Sequence, residues 1–346
     1  MHPRILSLFS GYGGLDMAVQ EVFGGDLVAV ADIDSGPCKI LAHRHPGVPN
    51  LGDVSTIDNL WVMMREGIAQ LRPRYVIWEN VRGAYSASAA SAMESDPRLL
   101  GDHPAGQPAL RALGRVLGDL ADLGYDAQWC GLPAADVGAP HGRFRVFLLA
   151  TRRDAADSDQ PGLEGQQGQA GAAQAGRHGH ALAGAVGPDL TLLPTPRATD
   201  GTKGGPNQRG SSGDLMLPSA VTQLLPTPSV ADTTGGRKRR SGSRNGELLL
   251  NGIAHHQQWG KYAGAIARWE AIHGPAPAPT MTSPRSGNQQ LSPAFTEWMM
   301  GLPAGWITDV PGITRNEALK ACCNGVVPAQ AAAALRFMLT RQEVVT

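Results

Sequence analysis

The sequence predicts an α/β protein in which a parallel sheet carries helices on both faces. Three observations predict it. Short apolar runs alternate with segments of helical period through residues 1–154. The first run breaks into the glycine-rich turn SGYGG, which leads directly into a helix. Successive runs then end in acidic groups: Asp32-Ile33-Asp34, Asp53 and Glu79-Asn80.

In chain order, Ile5 to Phe9 is the first apolar strand, and the spacing from Leu15 to Phe23 predicts a helix. Leu27 to Ala31 forms a second buried strand, followed by a helix through Cys38 to His45. The stretch GVPNLGDV carries a third short strand into Asp53. Leu60 to Leu71 has helical spacing, and Arg74 to Trp78 is a strand ending at Glu79-Asn80-Val81. Leu110 to Leu123 is an amphipathic helix, Asp126 to Cys130 a strand, and Val146 to Ala150 a strand entered through HGRFR. Residues 155–190 are dominated by Gly, Ala, Gln and His, the composition of a flexible linker. An internal repeat follows: LLPTPRATDGTKGG at 192–205 returns as LLPTPSVADTTGG at 224–236. Two copies are too few for a solenoid, so they read as paired loop-rich units of a small lobe over 191–290. The segment 291–346 is ordered again, with LSPAFTEWMM as a Ser-Pro helix start and CNGVVP leading into an alanine-rich helix.

Composition excludes several classes. The hydrophobic fraction of 42% supports a real core, and formal net charge is zero, so any nucleic-acid affinity must come from a local patch. Residues 192–254 hold eight Lys or Arg and four Asp or Glu, and Arg237, Lys238, Arg239 and Arg240 supply half of those bases. No apolar run reaches the roughly 18 residues of a membrane span, and MHPRILSLFSGYGG lacks the layout of a secretory signal. Cys38, Cys130, Cys322 and Cys323 show no metal-ligand spacing, so reduced thiols in a cytoplasm are expected, with no metal.

Gly11, Gly13 and Gly14 leave room for a cofactor against bare backbone. Asp32 lies 18 positions beyond Gly14, near the spacing that puts a carboxylate on ribose hydroxyls. Asp53 is placed to accept from the exocyclic amine of an adenine. With no second glycine fingerprint for a pyrophosphate, S-adenosylmethionine is favoured over NAD or FAD.

The ordered series LSLFSGYGGLDMA, ADID, GDV, ENV, HGRFR and CNGVVP resembles the motifs of DNA cytosine-C5 methyltransferases, phage or prophage members above all. The resemblance covers most of residues 4–154 and 291–339. It implies a Rossmann-like catalytic domain over 1–154, a linker, a DNA target-recognition lobe over 191–290, and a return to the catalytic domain over 291–346. It further implies S-adenosylmethionine bound by Phe9, Gly11, Gly13, Gly14, Asp32, Ile33 and Asp53, with Asn324, Gly325 and Val326 closing the site. Glu79 matches the acid that holds N3 and the 4-amino group of the target cytosine, and Arg145, with Arg143 beside it, matches the arginine at O2. The base is flipped from duplex DNA, and the basic run 237–240 would meet phosphates. A monomer is expected. Cys323 stands where the family has Gly, a departure expected to strain that loop.

One part is missing. The family's thiolate, which adds to C6 of cytosine, comes from a Pro-Cys loop after a fourth strand, between GDV and ENV. Asp53 and Glu79 are 26 positions apart, and only Val54 to Asn59, six residues, are not needed for the helix and strand before Glu79. A helix, a strand and a catalytic loop need roughly 25. The expectation is a sheet that lacks one central β-α unit, with the remaining strands either closed over the gap or left apart. Closure would shift Glu79 by roughly 4.8 Å. Cys38 follows Pro37 but sits in the helix after the second strand, on the cofactor side, and no other cysteine has a positional argument for attack on C6. The alternatives are a non-catalytic DNA- or cofactor-binding protein, or a non-functional deletion product.

Overall fold

The computed structural model describes residues 3–53, 60–85, 112–153, 224–232, 249–254, 259–284 and 287–343. The linker, the first repeat copy, the basic run 237–240 and Val54 to Asn59 lie outside the described residues. Contacts divide the chain into two compact units: residues 1–53, 133–143 and 179–337 in one, residues 54–132, 144–178 and 338–346 in the other.

In the first unit, β1 (Arg4–Leu8) and β2 (Asp26–Ala31) pair in parallel. Helix α1 (Gly14–Phe23) links them, and α2 (Ser35–Arg44) follows β2. The expected third strand is reduced to a bridge between Val30 and Asn50, with the Val30 N–H donating to Pro49 O and Leu51 N–H to Val30 O. Pro49 has no N–H to give a ladder, which favours so short a pairing. Leu6 of β1 is 40% exposed where a buried strand was expected; β2 is its strand neighbour in a two-stranded sheet.

The second unit holds α3 (Leu60–Leu71), β3 (Tyr75–Val81), α4 (Ala112–Asp122), β4 (Tyr125–Pro133) and β5 (Phe144–Arg152). Strand order is β3-β5-β4, and β3 pairs with β5 antiparallel rather than in the expected parallel sense. The ten residues between β4 and β5 carry a short 3-10 turn, Ala134–Val137, and no helix, too little chain for a parallel crossover. Val146 to Ala150 are fully buried, as a central strand covered on both faces must be. Around them Val76, Trp78, Leu113, Val116, Leu120 and Tyr125 form this unit's core. α3 begins at Leu60, as its spacing predicts, so six residues connect Asp53 to it. β1 and β3 belong to separate sheets, each within its own unit.

The C-terminal part of the first unit carries α5 (Leu250–Ala254), α6 (Ala263–His273), the hairpin of β6 (Thr280–Thr282) and β7 (Gln289–Leu291), then α7 (Pro293–Met299), α8 (Arg315–Asn324) and the start of α9 (Pro328–Glu343), through Phe337. Ser292 caps α7 through its side chain, with Pro293 in the first turn. The core packs Trp269, Phe295, Trp298 and Met299; Trp259 stacks on Phe295 at 5.3 Å, and the Trp269 indole donates to Trp298 O at 2.7 Å. In the second repeat copy, Asp232 is buried and accepts from Ser229 N, Ser229 Oγ and Asn251 N, closing its own loop.

Candidate active site

The glycine turn is built by backbone that few residues tolerate. Gly11 and Gly13 have φ of +57° and +85°, and Phe9 is held at +55°, a position L side chains rarely adopt. A side chain at Gly11 would meet nothing within 4 Å, so this glycine opens onto free space, and the Phe9 ring is 44% exposed. Gly11 N–H donates to Asp32 Oδ2 at 2.9 Å, and Asp34 N–H to Asp32 Oδ1 at 2.9 Å. The end of β2 is thereby locked to the turn. Asn50, which motif spacing did not single out, accepts from Asp32 N and donates to Asp32 O, both at 3.1 Å. Ile33 is 67% exposed and Asp53 is exposed. Gly11, the oriented Asp32 carboxylate, and the exposed Ile33 and Asp53 are the residues here that could hold a cofactor.

Asn324, Gly325 and Val326 lie at the end of α8 and just beyond it. Val326 O accepts from the buried Tyr12 hydroxyl at 2.5 Å, joining this loop to the glycine turn. The strain expected at Cys323 is not present. α8 continues through Asn324, so Cys323 has ordinary helical backbone, and Phe9 and Arg72 are the non-glycine positive-φ residues described. Arg143 is buried and donates through Nη1 to Cys323 O at 2.8 Å and through Nη2 to Gly325 O at 2.6 Å. Gln330 Nε2 donates to Arg143 O at 2.9 Å. These contacts make Arg143 a clamp on the 323–325 carbonyls, whereas sequence reasoning grouped it with the base-holding side chains. His141 is fully buried; Arg143 N–H lies 3.4 Å from Nδ1 and Met299 O lies 3.2 Å from Nε2. An N–H can only donate and a carbonyl only accept, so the proton sits on Nε2.

The second unit brings Glu79 and Arg145 together. Glu79 lies opposite Phe147 in the β3–β5 ladder, which puts Arg145 on the diagonal, and Arg145 Nε stands 2.5 Å from Glu79 Oε1. Both are largely buried, so the pair is a short, charge-assisted contact.

All four cysteines are free thiols. Burial pushes Cys38 above its ordinary value and lifts Cys130 and Cys323 to about 12; Cys322, fully buried, is raised as well. Cys38 donates to Asp32 O at 3.2 Å and receives the Asn50 amide at 3.3 Å, a packed helix thiol. Among the described residues no group of three or more His, Cys, Asp or Glu is placed to hold a metal, and no helix is long and apolar enough to cross a membrane.

Residues 56–175 match the family model of the C-5 cytosine-specific DNA methylases. No curated protein sequence matches the chain. Among solved structures, the Dnmt2 methyltransferase of S. pombe is similar over 99% of this chain and 99% of its own, with TM-score 0.53 and 13% identity. A Dnmt2 mutant of Spodoptera frugiperda reaches TM-score 0.49 at 13% identity, over 97% of this chain and 99% of that one. A DNA modification methyltransferase from an E. coli prophage reaches 0.45 at 13%, over 99% of each chain. The S. pombe likeness shows a shared, Rossmann-like α/β fold; the other two are too loose to add to it. The family-model match thus spans residues 56–175, and further motifs of the ordered series lie on either side of it.

Proposed function

We propose that this chain keeps the cofactor site of a DNA cytosine-C5 methyltransferase but does not methylate DNA. The observation that carries this reading is the six-residue connection between Asp53 and α3, where the family's Pro-Cys loop would need a whole β-α unit. S-adenosylmethionine, when bound, supplies an electrophilic methyl group. Phe9, Gly11, Asp32, Ile33 and Asp53 would hold its adenosine, and Asn324 to Val326 would close over it. Glu79 and Arg145 would hold N3 and O2 of a flipped cytosine, exchanging their mutual contact for the base edge. The base would then be held with no thiolate to add to C6. The raised thiols support this reading, since the thiolate is the nucleophile and burial disfavours it at every cysteine present. Double-stranded DNA is the proposed partner, with Arg237, Lys238, Arg239 and Arg240 on its phosphates.

The test is transfer of labelled methyl groups from S-adenosylmethionine to duplex DNA, alongside calorimetric titration with the same cofactor. The expected result is cofactor binding without transfer. Robust labelling of cytosine would overturn the loss of activity, and absence of cofactor binding would leave a non-functional deletion product as the better description.

A further inference from the structure

We infer that Tyr12 is a positioning residue that locks the loop after α8 onto the glycine turn and so sets cofactor affinity; the affinity part rests on the cofactor reading above. Tyr12 is fully buried, and its hydroxyl donates to Val326 O at 2.5 Å, 314 positions away in sequence. The ring is flanked by two glycines. A Cβ at Gly14 would lie 2.5 Å from Tyr12 Cε2 and would also strike Val326 O; a Cβ at Gly325 would overlap Tyr12 Cε1.

Gly325 decides the argument. Its φ of −76° and ψ of 178° are open to any residue, so the backbone does not require glycine there. What requires it is the Tyr12 ring. Gly14 is helical, a conformation also open to any residue, and it faces the same ring. These two glycines therefore make room for Tyr12, whereas Gly11 is the glycine that opens onto free space.

The lock is held from the other side as well. The Trp306 indole donates to Tyr12 O at 2.9 Å, and Arg44 holds the Trp306 loop by donating to Trp306 O at 2.8 Å and to Gly305 O. The buried Glu297 carboxylate accepts from Thr308 N at 2.9 Å and Ile307 N at 3.3 Å. Arg143 fixes the carbonyls of Cys323 and Gly325. The closing loop is therefore held by hydrogen bonds from the protein's own side chains. If closure fell to a fraction of molecules, apparent affinity would fall by that fraction.

Tyr12→Phe keeps the ring and removes only the hydroxyl. Its effect should be roughly tenfold weaker S-adenosylmethionine binding, since an orphaned buried carbonyl favours opening by an amount of this order. Amide exchange at residues 325–327 should rise while exchange in α7 stays unchanged. Gly325→Ala should lower the melting temperature in the wild-type background and have little effect in a Tyr12→Ala background.

Unchanged exchange at 325–327 in Tyr12→Phe, or equal cost of Gly325→Ala in both backgrounds, overturns the lock. Raised exchange with unchanged cofactor affinity overturns its positioning role. Failure of the wild type to bind S-adenosylmethionine counts against the cofactor reading, and the exchange and melting measurements still decide the lock.

Discussion

Asp16 sits in the first turn of α1 with its Oδ1 accepting from Ser7 Oγ at 2.6 Å, and burial pushes its carboxyl up to about 6. A folded-state value above the unfolded one makes the acid favour the protonated fold. Its contribution is full below about pH 4 and is lost as pH rises through 6. Asp16→Asn should therefore raise stability near pH 7 by about 2 kcal/mol, with the gain shrinking to nothing near pH 4. Thermal melts at the two pH values check it. Residue identities at the turn were legible in sequence because glycine and acid spacing carries the signal. The roles of Tyr12, Asn50 and Arg143 were not, because each acts on backbone distant along the chain: Tyr12 reaches Val326, and Arg143 reaches Cys323 and Gly325.

At the scale of elements, α2 and α8 are joined through one carboxylate. Glu317 closes a capping box with Thr314, accepts from Lys39 Nζ at 2.8 and 2.9 Å, and accepts from Ser35 Oγ at 2.6 Å. The Lys39 ammonium and the Ser35 hydroxyl hold it down at about 2. A depressed acid contributes stability above its unfolded value, near 4.3, that is lost as pH falls through the folded one. Glu317→Gln should thus lower the melting temperature at pH 6 and flatten the acid limb between about pH 4 and 2, as melts across that range would show. Gly36 permits this approach, since a Cβ there would lie 3.1 Å from Glu317 Cβ. The Thr-x-x-Glu pattern that starts α8 is local along the chain. That the same Glu would also bind α2 follows only from packing.

For the whole molecule, the proposed loss of activity is tied to the six-residue connection between Asp53 and α3. Insertion of a β-α unit with a Pro-Cys loop, roughly 30 residues, between Val54 and Asn59 should confer methyl transfer to duplex DNA. Replacing its Cys by Ser should abolish that transfer, and labelled-methyl incorporation measures both. No activity from a folded insertion variant that still binds cofactor would mean that more than this unit is lacking.

The sequence by itself determined the ordered series of motifs, the match to the C-5 cytosine-specific DNA methylase model over 56–175, and the six residues between Asp53 and α3. Each is a matter of order and spacing along the chain, which local chemistry and element lengths fix. Tertiary structure alone decided that β3 runs antiparallel to β5, that the sheet strands fall into separate sheets, and that Glu79 meets Arg145. It also decided that Gly325 is a glycine on account of Tyr12. Pairing direction and close approach depend on which distant segments share a neighbourhood, and no local period encodes that.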